Sequence, residues 1–190
     1  GIEKMAIHWA SDIQLPGLLF VPKTSNGQRY LYLHGEGKHV DASKGGPIEE
    51  LVLQGGTVFA VDLRGIGETK TTDRDVRISY LLGKSLVGMR SEDVLIAARV
   101  LSEWKKTDES SEVHLIAYGS AEVPAIHAAA LERKLFSSLK VNGDVPSWSR
   151  IVRDPTEGRL SDTVYGALTV YDLPDLVSSY HSFRKQNLQQ

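Results

Sequence analysis

A turn between a predicted strand and a predicted helix carries the residue pattern closest to a catalytic motif. Residues 117–121 (AYGSA) follow the apolar run HLI and precede an alanine-rich stretch. In the pattern G-x-S-x-G, a strained turn of this kind exposes a serine nucleophile. Ala117 and Ala121 are small enough for the flanking positions, but the central position holds Gly119. Glycine tolerates the positive φ of such a turn. The sequence therefore predicts the turn without its attacking oxygen.

Ser120, one residue further along, is the alternative nucleophile. With Ser120 at the centre, Tyr118 and Glu122 would occupy the flanking positions, and both side chains are too bulky for that role. We therefore predict that Ser120 opens the following helix, where its N–H lines an oxyanion hole and its side chain caps the helix. A catalytic role for Ser120 is kept as the alternative.

Residues 34–36 (HGE) end a predicted strand and form a second candidate segment. Gly35 would let the backbone approach a ligand, and its N–H would serve a developing oxyanion. We therefore assign Gly35 and Glu36, together with Gly119 and Ser120, to a pocket around the turn. The alternative is that the histidine–glycine pair forms an ordinary turn.

The remaining titratable residues predict no metal site and no cofactor. Segment 34–41 holds two histidines and two acids, but its H-x-E-x-x-H spacing matches no metal motif and favours a solvated loop. His181 is the one histidine late enough to be a triad base, and its context favours the surface. His127, on the alanine-rich helix, is expected to be packed. Asp62 and Arg64 end a strand and are expected to tie the next loop to the backbone or to each other.

Strands and helices alternate along the chain, which predicts a parallel sheet covered on both faces. The fold class is α/β: a three-layer α/β/α sandwich with a mostly parallel sheet of about six strands, forming one domain over residues 1–190. The predicted strands are 5–10, 15–21, 29–34, 57–62, 112–117 and 138–142. The predicted helices are 47–54, 91–105 and 121–134, with partly helical stretches at 71–88 and 162–182.

The four later strands are predicted to share one parallel sheet, because crossover connections in such sheets are right-handed. Sites in these sheets lie at the C-terminal ends of the strands. The segments at those ends, 34–36, 62–65, 118–120 and 143–144, would then face one crevice.

Several residues are predicted to mark the ends of helices. Ser91 is expected to cap the longest helix, with acids in its first turn and lysines at its end. Asp172 and Asp175 flank Pro174 and are expected to cap a break in the last helical stretch. Residues 182–190 (SFRKQNLQQ) are predicted to form a frayed polar tail.

Composition excludes several classes of function. The 190 residues are 41% hydrophobic and 24% charged, which is typical of a globular domain with its own core. A net charge of -2 provides no basic surface for nucleic acid or anionic lipid. No apolar run approaches the ~18 residues of a membrane span. The absence of cysteine removes disulfides, thiolate metal sites and cysteine nucleophiles. Gly1 at the start predicts a domain cut from a longer protein or a mature exported chain.

Four segments together resemble a known family. YLYLHGEG, TVFAVDLRGIGET, HLIAYGSAEVPAIHAAAL and YGALTVYDLPDL are similar to α/β hydrolases of the acetyl xylan esterase type, and to hydrolase-like domains of long bacterial esterase proteins. The resemblance covers residues 15–176. It implies that DLRGIG follows the strand before the nucleophile strand, and that YDLPDL precedes the strand leading to the acidic triad member.

Two departures from the family pattern change the expected function. The serine position holds Gly119, and no clear strand follows Tyr180. In the full fold the acid and the histidine of the triad follow later strands, so we expect a truncated α/β-hydrolase-like fold that lacks them. We therefore expect a degenerate, non-catalytic domain with a structural or interaction role in an acetyl xylan esterase-type protein. The alternative is a serine carbohydrate esterase (deacetylase) that uses Ser120 or catalytic groups from another domain.

The expected partners follow from the edge of the sheet and from the resemblance. A sheet that ends at 139–142 leaves an edge that must be covered, by another domain of the same protein or by a homodimer partner. Acetylated carbohydrate is the expected small-molecule partner, and neither nucleic acid nor a membrane is expected. In a third, glycan-binding alternative, Tyr118, Trp148 and Tyr171 would offer aromatic surface.

Overall fold

A computed structural model of the chain describes residues 1–9, 13–104, 113–142, 145–154 and 160–187. The strands of its sheet are β1 (Ile2–Trp9), β2 (Ile13–Phe20), β3 (Arg29–His34), β4 (Thr57–Val61), β5 (Val113–Tyr118) and β6 (Phe136–Val141). Its α-helices are α1 (Pro47–Leu53), α2 (Asp73–Leu81), α3 (Leu86–Glu103), α4 (Glu122–Leu131), α5 (Trp148–Arg153) and α6 (Leu173–Asn187).

The six strands form one mixed sheet in the order β1-β2-β4-β3-β5-β6. β3 pairs in parallel with both β4 and β5, and β5 pairs in parallel with β6. β1 and β2 are antiparallel to each other, and β2 is antiparallel to β4. The prediction of a mostly parallel six-stranded sheet is therefore confirmed, and the carboxyl ends of the four later strands meet at one edge.

Alternate residues of the central strands pack on opposite faces of the sheet. Leu31 and Leu33 of β3 contribute to the larger core cluster, which also takes buried residues of α3, α4 and α6. Tyr32, between them, contributes to a second cluster with Ile48 of α1. The period of two along a strand thus produces the predicted three layers.

Most of the predicted elements exist, but several of their ends differ. The predicted start of the longest helix at Ser91 is wrong. α3 begins at Leu86, and Ser85 is its cap, since the Ser85 side chain accepts a hydrogen bond from the Gly88 N–H. Ser91 instead lies buried inside the helix, where its hydroxyl donates to the Val87 carbonyl at 2.8 Å. Glu92 and Asp93 follow Ser91 as acids follow a cap in the first turn of a helix, but α3 has already begun at Leu86.

The predicted polar tail is also wrong, since α6 runs from Leu173 to Asn187. The helix continues because its side facing the sheet is anchored to the core. Tyr180 is buried there, and its hydroxyl donates to the Phe136 carbonyl at 3.0 Å. A polar sequence can continue a helix when a single large side chain anchors it to the core. Pro174 lies in the first turn, where a missing N–H costs nothing, so the helix starts there rather than breaking.

Some expectations concern residues outside the described ranges. The predicted strand end at 143–144, the first residue of the strand 112–117 and the lysines after α3 belong to this group. Among the described residues, no helix combines the length and the apolar character that crossing a bilayer requires.

Candidate functional site

The turn after β5 has the geometry of a nucleophile elbow with glycine at its tip. Gly119 has φ +62°, a left-handed conformation, and it opens a short 3-10 turn that leads into α4. Ala117 and Ala121, at the predicted flanking positions, are both fully buried. A Cβ added to Gly119 would meet only Gly35 Cα at 3.9 Å and Gly35 N at 4.0 Å. The position is open enough for a side chain, and this chain supplies none.

The elbow lies directly against the end of β3. A Cβ added to Gly35 would lie 2.5 Å from the Ser120 nitrogen and 2.6 Å from its Oγ, so only glycine fits there. The Ser120 hydroxyl donates to the Gly35 carbonyl at 3.3 Å. The prediction that Ser120 caps the helix is therefore wrong: Ala121 precedes α4, and no side chain caps it. The 3-10 turn directs the serine toward β3 instead of toward the helix axis.

Most N–H groups around the elbow already have acceptors. The Gly35 N–H, predicted to serve an oxyanion, donates to the Tyr118 carbonyl at 2.9 Å and continues the pairing of β3 with β5. The Glu36 N–H donates to His34 Nδ1 at 3.1 Å. Because the Gly35 N–H is engaged in strand pairing, Gly35 and Ser120 do not present a pair of free N–H donors of the kind that forms an oxyanion hole.

Glu122 holds the elbow from its helix side, a role that was not anticipated. Its carboxylate accepts a hydrogen bond from the Gly119 N–H at 2.9 Å. Burial raises the pKa of Glu122, although hydrogen bonds from the backbone of Gly119 and Asn142 act in the opposite direction. The spacing of three residues between the turn and an acid is that of a capping box, and this pattern could have identified Glu122. The bond links the tip of the turn to the first residue of α4.

The loop after β4 is tied to the loop after β3 by a buried ion pair. Asp62 is fully buried and accepts from the Lys38 N–H at 2.6 Å, from Lys38 Nζ at 2.8 Å and from the Glu68 N–H at 3.0 Å. Lys38 Nζ also contacts the Glu68 carboxylate. Burial lowers the pKa of Lys38, but the bonds to Asp62 and Glu68 outweigh that effect and raise it. This carboxylate is consumed in positioning the backbone, as expected for Asp62.

Arg64 has a similar structural role on the opposite side of that loop. The Arg64 guanidinium pairs with Asp93 of α3, and its Nε lies 2.9 Å from both carboxylate oxygens. The backbone N–H of Arg64 also donates to the Asp93 carboxylate. Arg90, also on α3, donates through Nε to the Arg64 carbonyl at 2.9 Å. Arg64 and Asp62 therefore tie the loop to its surroundings and do not pair with each other.

No histidine ring makes a hydrogen bond to Ser120 among the described residues. His34 Nδ1 is engaged by the Glu36 N–H, and His181 is exposed on α6. Both ring nitrogens of His127 have partners. Nδ1 lies 2.7 Å from the Val123 carbonyl oxygen, and Nε2 lies 2.9 Å from the Tyr171 hydroxyl. Because a carbonyl only accepts, Nδ1 carries the proton and Nε2 accepts from Tyr171. His127 is packed, as predicted, and occupied.

The other predicted groups are dispersed. Asp41 of the segment 34–41 accepts from the Tyr32 hydroxyl at 2.7 Å, and the described residues contain no group of three acids or histidines placed to hold a metal ion. Trp148 is 4% exposed and packs against His127 and Tyr171, so it offers no aromatic surface to a glycan. Tyr118 instead lies beside Tyr32 and His34.

Comparisons with known proteins separate the fold from the function. No protein-family model matches the chain, and no curated protein matches it. Solved structures do match, among them a carboxyl esterase from Bacillus coagulans, with 17% identity and a TM-score of 0.55 over 80% of this chain and 48% of that one. An epoxide hydrolase from Vigna radiata matches with 18% identity and a TM-score of 0.56 over 76% of this chain and 39% of that one.

A third match is the α/β hydrolase GrgF from Penicillium sp., with 16% identity and a TM-score of 0.57 over 74% of this chain and 45% of that one. This chain spans 39 to 62% of the length of such structures. At these identities the likeness concerns the fold, and the matched proteins include a carboxyl esterase, a thioesterase domain and an epoxide hydrolase. The strand order, the elbow and these matches together show that the chain has the α/β-hydrolase fold.

Proposed function

We propose that this chain is a degenerate α/β-hydrolase domain that does not hydrolyse esters and has a structural or interaction role. The observation that carries the proposal is Gly119, which occupies the exposed tip of the elbow with the left-handed backbone that a nucleophile adopts there, and has no side chain. The segments quoted above favour a setting in an acetyl xylan esterase-type protein.

The surroundings of Ser120 support the same proposal. An activated serine needs a base within about 2.6–3.2 Å of its hydroxyl. The Ser120 hydroxyl donates to the Gly35 carbonyl, which cannot take up its proton at neutral pH. With no base bonded to it among the described residues, the serine is held as an alcohol. The alternative, a serine carbohydrate esterase, requires that Ser120 rotate away from this carbonyl and meet a base supplied by another domain.

The test uses a fluorophosphonate probe, which reacts with activated serines, followed by mass spectrometry of the labelled peptides. We expect no labelling at Ser120, and we expect p-nitrophenyl acetate and acetylated xylo-oligosaccharides to be turned over equally slowly by the chain and by Ser120→Ala. Ser138→Ala, which changes a serine bonded to the His114 ring, is the matched control for any loss caused by folding. Labelling of Ser120, together with turnover that disappears only in Ser120→Ala, would reject the proposal in favour of the esterase.

A further inference from the structure

A groove runs along α2, away from the elbow. It consists of two hollows of about 600 and 500 Å³ that share the same four lining residues: Tyr80, Leu81, Val164 and Tyr165. These volumes lie within the range of sites for small molecules. None of the residues that line the hollows belongs to the elbow or to the end of β3, so the groove is independent of the proposed loss of catalysis.

The walls of this groove are apolar and exposed. Leu81 is 86% exposed and Tyr165 is 94% exposed, and Leu160, at one end, is 48% exposed. Tyr80 is held in place because its hydroxyl lies 2.5 Å from the Thr163 carbonyl and 2.9 Å from the Thr163 hydroxyl. Contiguous apolar surface on a folded protein marks a place where an apolar group binds. The ordered tyrosine gives that surface a preformed wall.

The charges of the groove are of one sign. Among the described residues, Arg77 lines the first hollow, Lys84 lines the second, and no acidic residue lines either. Neither cation forms an ion pair with the described residues, whereas Lys38, Arg64 and Arg90 each face a carboxylate. An apolar groove with unpaired cations complements a molecule that has an apolar chain and a negative head group.

We propose that the groove binds a fatty acid of about twelve carbons as its carboxylate. The acyl chain lies against Leu81, Val164 and Tyr165, and it removes exposed apolar surface from water. The carboxylate lies at Arg77, because a guanidinium offers two parallel N–H donors to a carboxylate. Lys84 adds positive charge further along the groove. The groove's concave shape favours this ligand over a flat protein partner.

The proposal is tested by titrating the chain with laurate below its critical micelle concentration and measuring heat release. We expect saturable binding at one site. Arg77→Gln is expected to weaken laurate binding about threefold to tenfold, a modest factor because Arg77 is exposed. The same change is expected to leave the binding of 1-dodecanol unaltered, whereas Leu81→Ser weakens the binding of both. Arg74→Gln removes the same charge from the same helix outside the groove, and we expect it to have no effect.

Three outcomes would overturn the proposal. The first is the absence of saturable laurate binding. The second is an equal loss of affinity in Arg74→Gln and Arg77→Gln, which would indicate only a general attraction of the helix for anions. The third is a dimer in sedimentation that Leu81→Ser dissociates and laurate does not displace, since a second copy would then occupy the groove. Esterase activity enters none of these measurements, so their failure is distinguishable from failure of the proposed function.

Discussion

At the scale of single residues, two glycines meet where β3 ends beside the elbow, and they are needed for different reasons. Gly119 needs its left-handed φ of +62° but has open space around it. Gly35 needs no unusual φ, yet an added Cβ would lie 2.5 Å from the Ser120 nitrogen. The first requirement is conformational and the second is steric, so the two positions are expected to respond differently to alanine.

We expect Gly35→Ala to lower the free energy of unfolding by about 2–3 kcal/mol, because backbone must move to admit the methyl group. Gly119→Ala is expected to cost about 1 kcal/mol, the penalty of a left-handed alanine. Gly45→Ala is the matched control, since Gly45 has φ +76° and open space away from the site. Urea denaturation measures all three. Equal costs for Gly35→Ala and Gly119→Ala would show that the close approach is absent in solution.

The buried His127 makes stability depend on pH. Burial lowers the pKa of His127, and its hydrogen bond to the Val123 carbonyl offsets part of this effect. The unfolded chain, with an ordinary histidine pKa of about 6.5, therefore binds the proton more readily than the folded chain does. The contribution of neutral, buried His127 to the free energy of unfolding is therefore complete above a pH of about 6.5. It is lost as the pH falls through the lower pKa that His127 has in the folded state.

We expect the urea midpoint to decrease between pH 8 and pH 5, and we expect His127→Gln to reduce this dependence. His181→Gln, which changes an exposed histidine of α6, should leave the dependence as it is. A pH profile that is equally steep in the chain and in His127→Gln would contradict the assignment to His127.

At the scale of elements, one carboxylate organises the starts of two helices. Asp172 accepts from the Leu173 N–H at 2.7 Å at the start of α6, and from the Trp148 N–H at 2.8 Å and the Ser147 hydroxyl at 2.7 Å at the start of α5. Burial acts to raise the pKa of Asp172, but these bonds and one from Ser149 outweigh it and lower the pKa to about 2. The prediction that Asp172 caps a helix is confirmed, and it serves both helices.

Asp172→Ala is expected to lower the free energy of unfolding by about 2 kcal/mol, since it leaves several N–H donors without an acceptor. Asp175→Ala is the matched change, because within the described ranges the exposed Asp175 carboxylate accepts one hydrogen bond, from the Asp172 N–H at 2.8 Å. In thermal denaturation, we expect Asp175→Ala to lower the free energy of unfolding by less than half as much as Asp172→Ala does. Similar losses in both variants would mean that Asp172 acts on α6 alone.

At the scale of the whole molecule, the sheet ends at β6, which pairs with β5 on one side. The other side of β6 has no strand partner among the described residues, and an edge of this kind can pair with another chain. We propose, as the sequence led us to expect, that another domain or a second copy covers this edge. In the isolated chain, a second copy is the available partner.

We therefore expect the sedimentation coefficient of the isolated chain to rise with concentration. Amide exchange in residues 136–141 is expected to slow over the same range, because the free edge becomes hydrogen-bonded in the dimer. β1, at the opposite edge of the sheet, serves as the internal control and should not change. A chain that stays monomeric at all concentrations, with slow exchange in residues 136–141 throughout, would contradict the proposal.

The sequence by itself determined the elements, the sheet and the elbow of this protein, because these depend on local patterns. The alternation of strands and helices along the chain predicted the layers, and the bounds of β3 were predicted without error. Gly119, between two small residues, was sufficient to predict both the turn and its missing oxygen. The patterns that predict each element join residues close along the chain, whereas strand pairing joins distant ones, such as Tyr30 and His114.

Only the tertiary structure decided where Ser120 points, that the Gly35 N–H is engaged by Tyr118, and that residues 182–187 continue α6. Ser120 and Gly35 are 85 residues apart, and Tyr180 and Phe136 are 44 apart, so neither contact leaves a trace in the local pattern. The groove along α2 likewise forms only when Tyr80 meets Thr163 across 83 residues. Such contacts form only when the packing of strands and helices brings distant residues together. A local pattern along the sequence therefore does not predict them.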